Sequence, residues 1–117
     1  MKKIEQEKLA WVKRFTYDKR VLLKEKDFQS KGARFQIVKF AGWRTIEPHY
    51  HKKTIELFYI KQGVGQLIIN GVISSCKPED FFLIERLDRH EIRNLSSKPL
   101  IIHIFKTNEE DNDIYWN

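Results

Sequence analysis

From Ala33 onward the chain is a succession of short apolar segments, each of strand length and each bounded by turn residues. Many short strands joined by tight turns fold as an antiparallel sandwich or barrel. The clearest turn is Asn70-Gly71, because apolar segments flank it and both residues tolerate positive φ, as a two-residue hairpin requires. The predicted strands are RFQIVKF (34–40), TIELFYIK (54–61), QLIIN (66–70), VISSC (72–76), DFFLIER (80–86), HEIRNLS (90–96) and LIIHIFK (100–106).

A length of 117 residues predicts one domain with one core, spanning 1–117. The predicted barrel covers about 33–106, with an N-terminal extension, 1–32, and a C-terminal tail, 107–117. The first thirteen residues are rich in helix formers, and their apolar positions are compatible with a short amphipathic helix.

Two predicted strands are apolar on both faces, namely TIELFYI and LIIHIF. Side chains alternate between the faces of a strand, so both faces of these strands have to be covered. The barrel interior covers one face. Either the N-terminal extension or a second copy of the chain covers the other, and a second copy predicts a homodimer built on sheet-to-sheet contact.

The charge pattern argues against a nucleic-acid partner. Lys and Arg number 22 against 16 Asp and Glu, giving a net charge of +6, but both signs are interspersed and no nucleic-acid motif accompanies them. No apolar run approaches the roughly 18–20 residues that span a bilayer, so no membrane partner is expected. No apolar segment follows the charged N-terminus, and Cys76 is the single cysteine; both observations favour a cytoplasmic location.

His49 and His51 are two residues apart, so on an extended strand both leave the same face. Glu56 follows at an odd offset and joins that face only if Lys52-Lys53 forms a turn or bulge. Two imidazoles and a carboxylate suit a divalent zinc, iron, nickel or manganese ion. The spacing alone leaves open that the two histidines are surface or packing residues.

Beyond the spacing, the stretch resembles a known motif. Gly42, His49-x-His51, Glu56 and Gly63 resemble the first signature motif of the cupins, with one additional residue between Gly42 and His49. The fifteen residues that follow, 64–78, match the short spacer of small single-domain microbial cupins.

The second cupin motif has a counterpart as well. Pro78-x-Asp80 resembles its opening, and His90-x-x-x-Asn94 resembles its closing pair. The chain departs from the motif at turn positions, where the family usually has Gly, Pro and Gly and this sequence has Glu79, Glu85 and Leu87.

The resemblance implies an all-β fold, an antiparallel double-stranded β-helix or jelly-roll barrel. It also implies that one divalent metal ion is bound by four ligands, with one or two coordination positions open. These ligands would be His49, His51, Glu56 and His90. The alternative is a barrel without metal, in which these side chains hydrogen-bond one another.

Three further polar residues are candidates for a substrate pocket: Arg34, Gln36 and His103. For Arg34 a surface position is the alternative, and His103 lies among aliphatic residues as a core or interface histidine would.

The predicted partner is a small molecule. The predicted function is a metal-dependent enzyme, either an isomerase or lyase of sugars and sugar acids or a dioxygenase. The alternatives are a non-catalytic binding or sensing module and a purely structural barrel.

Overall fold

The computed structural model describes residues 1–116, which form eleven strands and little helix. One 3₁₀ turn covers Gln6–Lys8 and one short helix, α1, covers Glu25–Phe28. The strands are β1 Val12–Lys13, β2 Asp18–Leu23, β3 Arg34–Phe40, β4 Thr45–Tyr50, β5 Ile55–Gln62, β6 Gly65–Ile69, β7 Val72–Cys76, β8 Phe81–Ile84, β9 His90–Arg93, β10 Leu100–Thr107 and β11 Tyr115–Trp116.

These strands form two antiparallel sheets that enclose one core. The six-stranded sheet has the order β1-β2-β3-β10-β5-β8, and the five-stranded sheet has the order β11-β4-β9-β6-β7. Both sheets place their buried aliphatic and aromatic side chains on the facing surfaces, as the alternation in the sequence requires. The predicted antiparallel jelly-roll barrel is confirmed. Within residues 1–116, no helix is long and apolar enough to cross a membrane.

All seven predicted strands are present, with ends displaced by a few residues. The hairpin at Asn70-Gly71 is also confirmed, with φ of 51° and 81° at the two positions. Two longer strands were missed, β2 and β4, because DKRVLL and TIEPHY lack an apolar alternation. In place of the N-terminal amphipathic helix the chain has the 3₁₀ turn followed by β1.

The N-terminal extension covers only part of the outer face of the six-stranded sheet. Trp11 lies beneath two cations of β2 and β3, and the ring of Phe28 in α1 lies 5.5 Å from that of Phe105. Farther along the same sheet, toward β8, three apolar side chains remain exposed. They are Leu57, Phe81 and Leu83, with 38%, 64% and 58% of their surface accessible.

Two turn residues adopt a backbone conformation that favours glycine. Glu79 and Leu87 have φ of 77° and 70°, and both stand where the cupin motif has Gly. The left-handed region costs an L-residue roughly 1–2 kcal/mol. The amide of Leu87 donates a hydrogen bond of 2.8 Å to the carbonyl oxygen of His51, which maintains the turn against this strain.

We expect Leu87→Gly to raise the free energy of unfolding by about 0.5–1 kcal/mol, because relief of strain outweighs the added entropy of the unfolded chain. The backbone hydrogen bond to His51 is retained, and the Leu87 side chain is 63% exposed, so little apolar contact is lost. Thermal unfolding would measure the shift. Leu95→Gly is the matched control, since Leu95 is also exposed but lacks positive φ, and it should destabilise. A lower melting temperature for Leu87→Gly would contradict the assignment of strain.

Candidate metal centre

A bulge in β4 directs His49 into the barrel. Ile46 pairs with Ile92 and His49 pairs with His90, so Glu47 and Pro48 together oppose a single residue of β9. The extra residue shifts the alternation, and both Ile46 and His49 face inward. His49 and His90 are therefore cross-strand neighbours whose ring centroids are 4.2 Å apart. His51 lies on the same face, two residues beyond His49.

Glu56 reaches the histidines from the opposite sheet. The chain bends at residues 52–53, as the odd offset between His51 and Glu56 requires, and then enters β5. Glu56 Oε1 lies 2.9 Å from His51 Nε2 and 3.4 Å from His90 Nε2. The four side chains predicted as metal ligands are thus brought together, and all are buried.

Each of the three histidines donates its Nδ1 proton to a backbone carbonyl. His49 bonds to Glu47 at 2.8 Å, His51 to Asp113 at 2.6 Å and His90 to Asp88 at 2.8 Å. These bonds fix the ring orientations and place the neutral tautomer's proton on Nδ1, so that Nε2 carries a free lone pair. The three imidazoles offer ligand atoms that all lie within 4.8 Å of one another.

Two buried atoms at the centre of this cluster lack a hydrogen-bond partner. These atoms are Glu56 Oε1 and His90 Nε2, which have no hydrogen-bond partner within residues 1–116. A carboxylate facing imidazole lone pairs is unfavourable unless a positive charge, either a proton or a metal ion, lies between them. Nitrogen and carboxylate donors of this kind fit zinc, iron, nickel or manganese.

His49 and Glu56 have the protonation states that a metal ion needs, whereas His51 favours a proton. Burial and the neighbouring His90 lower the pKa of His49 to about 4, so this imidazole is neutral at pH 7. Burial raises the pKa of Glu56, but His51 and His90 outweigh it and hold the pKa well below the usual range. Burial likewise lowers the pKa of His51, and the Glu56 carboxylate raises it by more. A metal ion would therefore compete with a proton at His51.

The C-terminal tail holds the bend and His51 in place. The Asp113 carboxylate accepts hydrogen bonds of 2.8, 3.0 and 2.9 Å from the amides of Lys52, Lys53 and Thr54, and one of 2.9 Å from the Thr54 hydroxyl. The carbonyl of the same residue binds His51. Asp113 is a residue of the site that the sequence did not reveal, because no motif links it to positions about sixty residues earlier.

The other candidate residues occupy three different places. Gln36 is buried and lines a cavity of about 70 Å³ beside the histidines, together with Lys106, which was not predicted. Arg34 lines an adjoining cavity of about 220 Å³ that opens between β10 and the tail. His103 lies on the outer face of the sheet, with its ring 5.9 Å from those of both Phe35 and Tyr59.

We expect Asp113→Asn to destabilise the protein by about 1–3 kcal/mol at pH 7, because a charged acceptor of several hydrogen bonds is lost. Burial raises the pKa of Asp113, but the amides of the bend outweigh it and lower the pKa from 3.8 to about 2. The contribution of the carboxylate is therefore complete above about pH 4 and declines as the pH falls toward 2. Over that range the free energy of unfolding of the wild type, measured with urea, should approach that of the variant.

Asp111→Asn is the control for this prediction, because Asp111 is an exposed carboxylate on the same tail. A difference between wild type and Asp113→Asn that stays constant from pH 7 to pH 2 would show that the carboxylate does not hold the bend.

The fold and the site together define a double-stranded β-helix with a buried cluster of histidines and one carboxylate. A family model described as "Cupin domain" matches residues 36–105, more than half of the chain. The chain belongs to the cupin family. No curated protein sequence matches it.

Solved structures share the whole fold. A predicted oxalate decarboxylase from Thermotoga maritima superposes with a TM-score of 0.84 at 18% identity, covering 92% of this chain and 100% of its own. KdgF from Halomonas sp. superposes with a TM-score of 0.80 at 18% identity, covering 96% of this chain and 97% of its own. The polyketide cyclase RemF from Streptomyces resistomycificus superposes with a TM-score of 0.83 at 15% identity, covering 99% of this chain and 84% of its own. At these identities the similarity is one of fold.

Proposed function

We propose that the chain binds one divalent metal ion through His49, His51, Glu56 and His90 and acts as a metal-dependent enzyme on a small organic substrate. Three imidazoles have ligand atoms within 4.8 Å of one another, each commits its Nδ1 to a carbonyl, and Glu56 Oε1 lies beside two of them; this arrangement supports the proposal most strongly. Surface histidines would not be buried, and packing histidines would have no reason to bring three ligand atoms within 4.8 Å of one another beside a buried carboxylate.

In a five- or six-coordinate ion such as iron, nickel or manganese, four protein ligands would leave one or two coordination positions open, as a catalytic site requires. A cavity of about 70 Å³ adjoins the cluster, so a substrate atom could reach the open position. A bound ion would supply Lewis-acid chemistry, or oxygen chemistry if it is iron. The chain's own contribution is to orient the substrate through Gln36 and Lys106 and to exclude water with the apolar walls of the barrel.

For the reaction, we propose isomerisation or elimination on a sugar or sugar acid, or dioxygenation. Among the structurally similar proteins are a polyketide cyclase and a predicted oxalate decarboxylase, whose names describe chemistry on small oxygen-rich molecules. Elemental analysis of the purified protein, followed by assays for oxygen uptake and isomerisation with that metal loaded, would choose between the classes. Metal and ligand binding without turnover would instead indicate a binding or sensing function.

We propose a cytoplasmic location on the basis of the cysteine. Cys76 is the single cysteine of the sequence, so it forms no intramolecular disulfide, which fits a reducing compartment. Burial raises the pKa of its thiol to about 11, which keeps the thiol unreactive.

We expect His51→Ala to lower the affinity for the metal by more than about 100-fold, since loss of even a group that supports a ligand costs 10–100-fold. The melting temperature of the metal-loaded protein should fall, because a bound ion stabilises by mass action, while the metal-free forms should differ less. Metal content after dialysis and melting with and without metal would measure both effects.

His103→Ala is the matched control, because it removes the one histidine that lies outside the cluster. Full metal stoichiometry at unchanged affinity in His51→Ala would refute the ligand assignment.

The exposed apolar side chains of the six-stranded sheet support the proposed homodimer. Leu57, Phe81 and Leu83 form one patch near the edge strand β8, and the ring of Tyr59 lies 4.8 Å from that of Phe81. The N-terminal extension leaves these three side chains exposed. A second copy of the chain, related by two-fold symmetry, would bury the patch of each subunit against the other.

We expect Leu57→Asp to convert the dimer to monomer or to cause aggregation, because the interface would have to bury an unpaired charge. Sedimentation velocity at micromolar concentration would measure the change. Ile73→Asp on β7 is the control, since Ile73 is exposed at 61% on the other sheet. A wild-type monomer under these conditions would contradict the proposal.

A further inference from the structure

Two cations face each other across a strand pair at the entrance to the cavity. Lys106 of β10 and Arg34 of β3 are register partners, and both line the outer cavity of about 220 Å³. Like charges directly opposite each other destabilise a sheet unless an anion lies between them. Lys106 also lines the inner cavity beside the histidines, so the pair spans the path from the entrance to the candidate metal centre.

Glu109 of the C-terminal tail supplies the anion between these cations. Its Oε1 lies 2.9 Å from Arg34 Nε, and its Oε2 lies 3.1 Å from Lys106 Nζ. One carboxylate thus gives one oxygen to each cation, which is how two basic side chains would hold the carboxylate of a bound ligand.

Arg34 and Lys106 carry one positive charge more than Glu109 neutralises, although other carboxylates also line the outer cavity. Of these, Glu110 pairs with Lys53, Asp113 accepts hydrogen bonds from the bend, and Asp111 is exposed. Burial and then the charges of Arg14, Arg34 and Lys106 lower the pKa of Lys19 to about 8. Glu56 Oε2 lies 3.9 Å from Lys106 Nζ, while Glu56 Oε1 faces His51 and His90. A ligand carboxylate that takes the place of Glu109 would therefore meet two cations.

Glu109 can leave the two cations without movement of the tail. Its backbone is anchored, because its amide donates a hydrogen bond of 3.0 Å to Gly32 and a Cβ at Gly32 would lie only 2.8 Å from the Glu109 nitrogen. The side chain is 23% exposed and contacts solvent, so rotation about its own bonds is enough to vacate the position.

Deeper in the cavity, Gln36 offers a second point of recognition. Its Oε1 atom is buried and has no hydrogen-bond partner among the residues that the structure describes. A buried acceptor of this kind needs a donor, and a ligand hydroxyl is one. Gln36 lies on the same strand as Arg34, two residues farther along and on the same face.

We propose that the cavity recognises hydroxy acids, with Arg34 and Lys106 binding the carboxylate in place of Glu109 and Gln36 accepting a hydrogen bond from a hydroxyl. This inference rests on the proposed function in one respect, that the substrate enters the cavity beside the histidines. It adds the chemical class of that substrate and a role for Glu109 as an internal competitor.

The test uses metal-free full-length protein, freed of chelator by gel filtration, and the probes lactate and its uncharged amide, lactamide. NMR or calorimetric titration measures binding of each probe. We expect lactate to bind more tightly than lactamide. Glu109→Gln should tighten lactate binding about two- to fivefold by removing a partly exposed competing ion pair. Arg34→Met and Lys106→Met should weaken it about tenfold or more.

Glu110→Gln is the matched control, because Glu110 is the adjacent tail carboxylate and pairs with Lys53 outside the cation pair. The inference is overturned if lactamide binds as tightly as lactate, or if Glu109→Gln and Glu110→Gln change lactate binding equally. The comparison of Glu109→Gln with Glu110→Gln tests the inference even if the Met variants do not fold. Lactate binding of the expected pattern in a protein that takes up no metal would support this inference and refute the proposed metal site.

Discussion

The carboxylate of Glu56 is the group on which the arrangement of the barrel interior depends. A carboxylate buried to this extent is tolerated only with compensating positive charge and donors. The histidines of the five-stranded sheet and Lys106 of the six-stranded sheet provide this compensation from opposite sides. The two sheets are therefore joined by an electrostatic contact as well as by the apolar core, and a divalent ion would strengthen the same contact.

Much of the fold and part of the candidate site could be predicted from the sequence, because apolar side chains alternate along the strands. Alternation and the Asn70-Gly71 turn indicated an antiparallel barrel, and the spacing of His49, His51 and Glu56 indicated a turn at 52–53 that the structure has. The strand β4 was missed although it carries His49 and is followed directly by His51. Its bulge at Glu47 and Pro48 interrupts the alternation that identifies a strand, and the same bulge is what turns His49 inward.

The contributions of distant residues could not be predicted in the same way. Asp113, Glu109 and Lys106 reach the site through the tail and the last long strand, and no local pattern connects them with the motif. At Glu79 and Leu87 the situation is reversed, because the sequence lacks the expected glycines but the backbone keeps the left-handed conformation. Here the surrounding hydrogen bonds determine the turn, and local propensity does not.

The hydrogen bond between His51 and the carbonyl of Asp113 has a consequence for the tail. Free-energy coupling is reciprocal, so if tail docking orients His51 for a metal ion, the bound ion must stabilise the docked tail by the same amount. The backbone around residues 108–112 has no strand partner and would be accessible to a protease whenever the tail detaches. The rate of cleavage in this segment would then report how much of the protein carries metal, without any knowledge of the substrate.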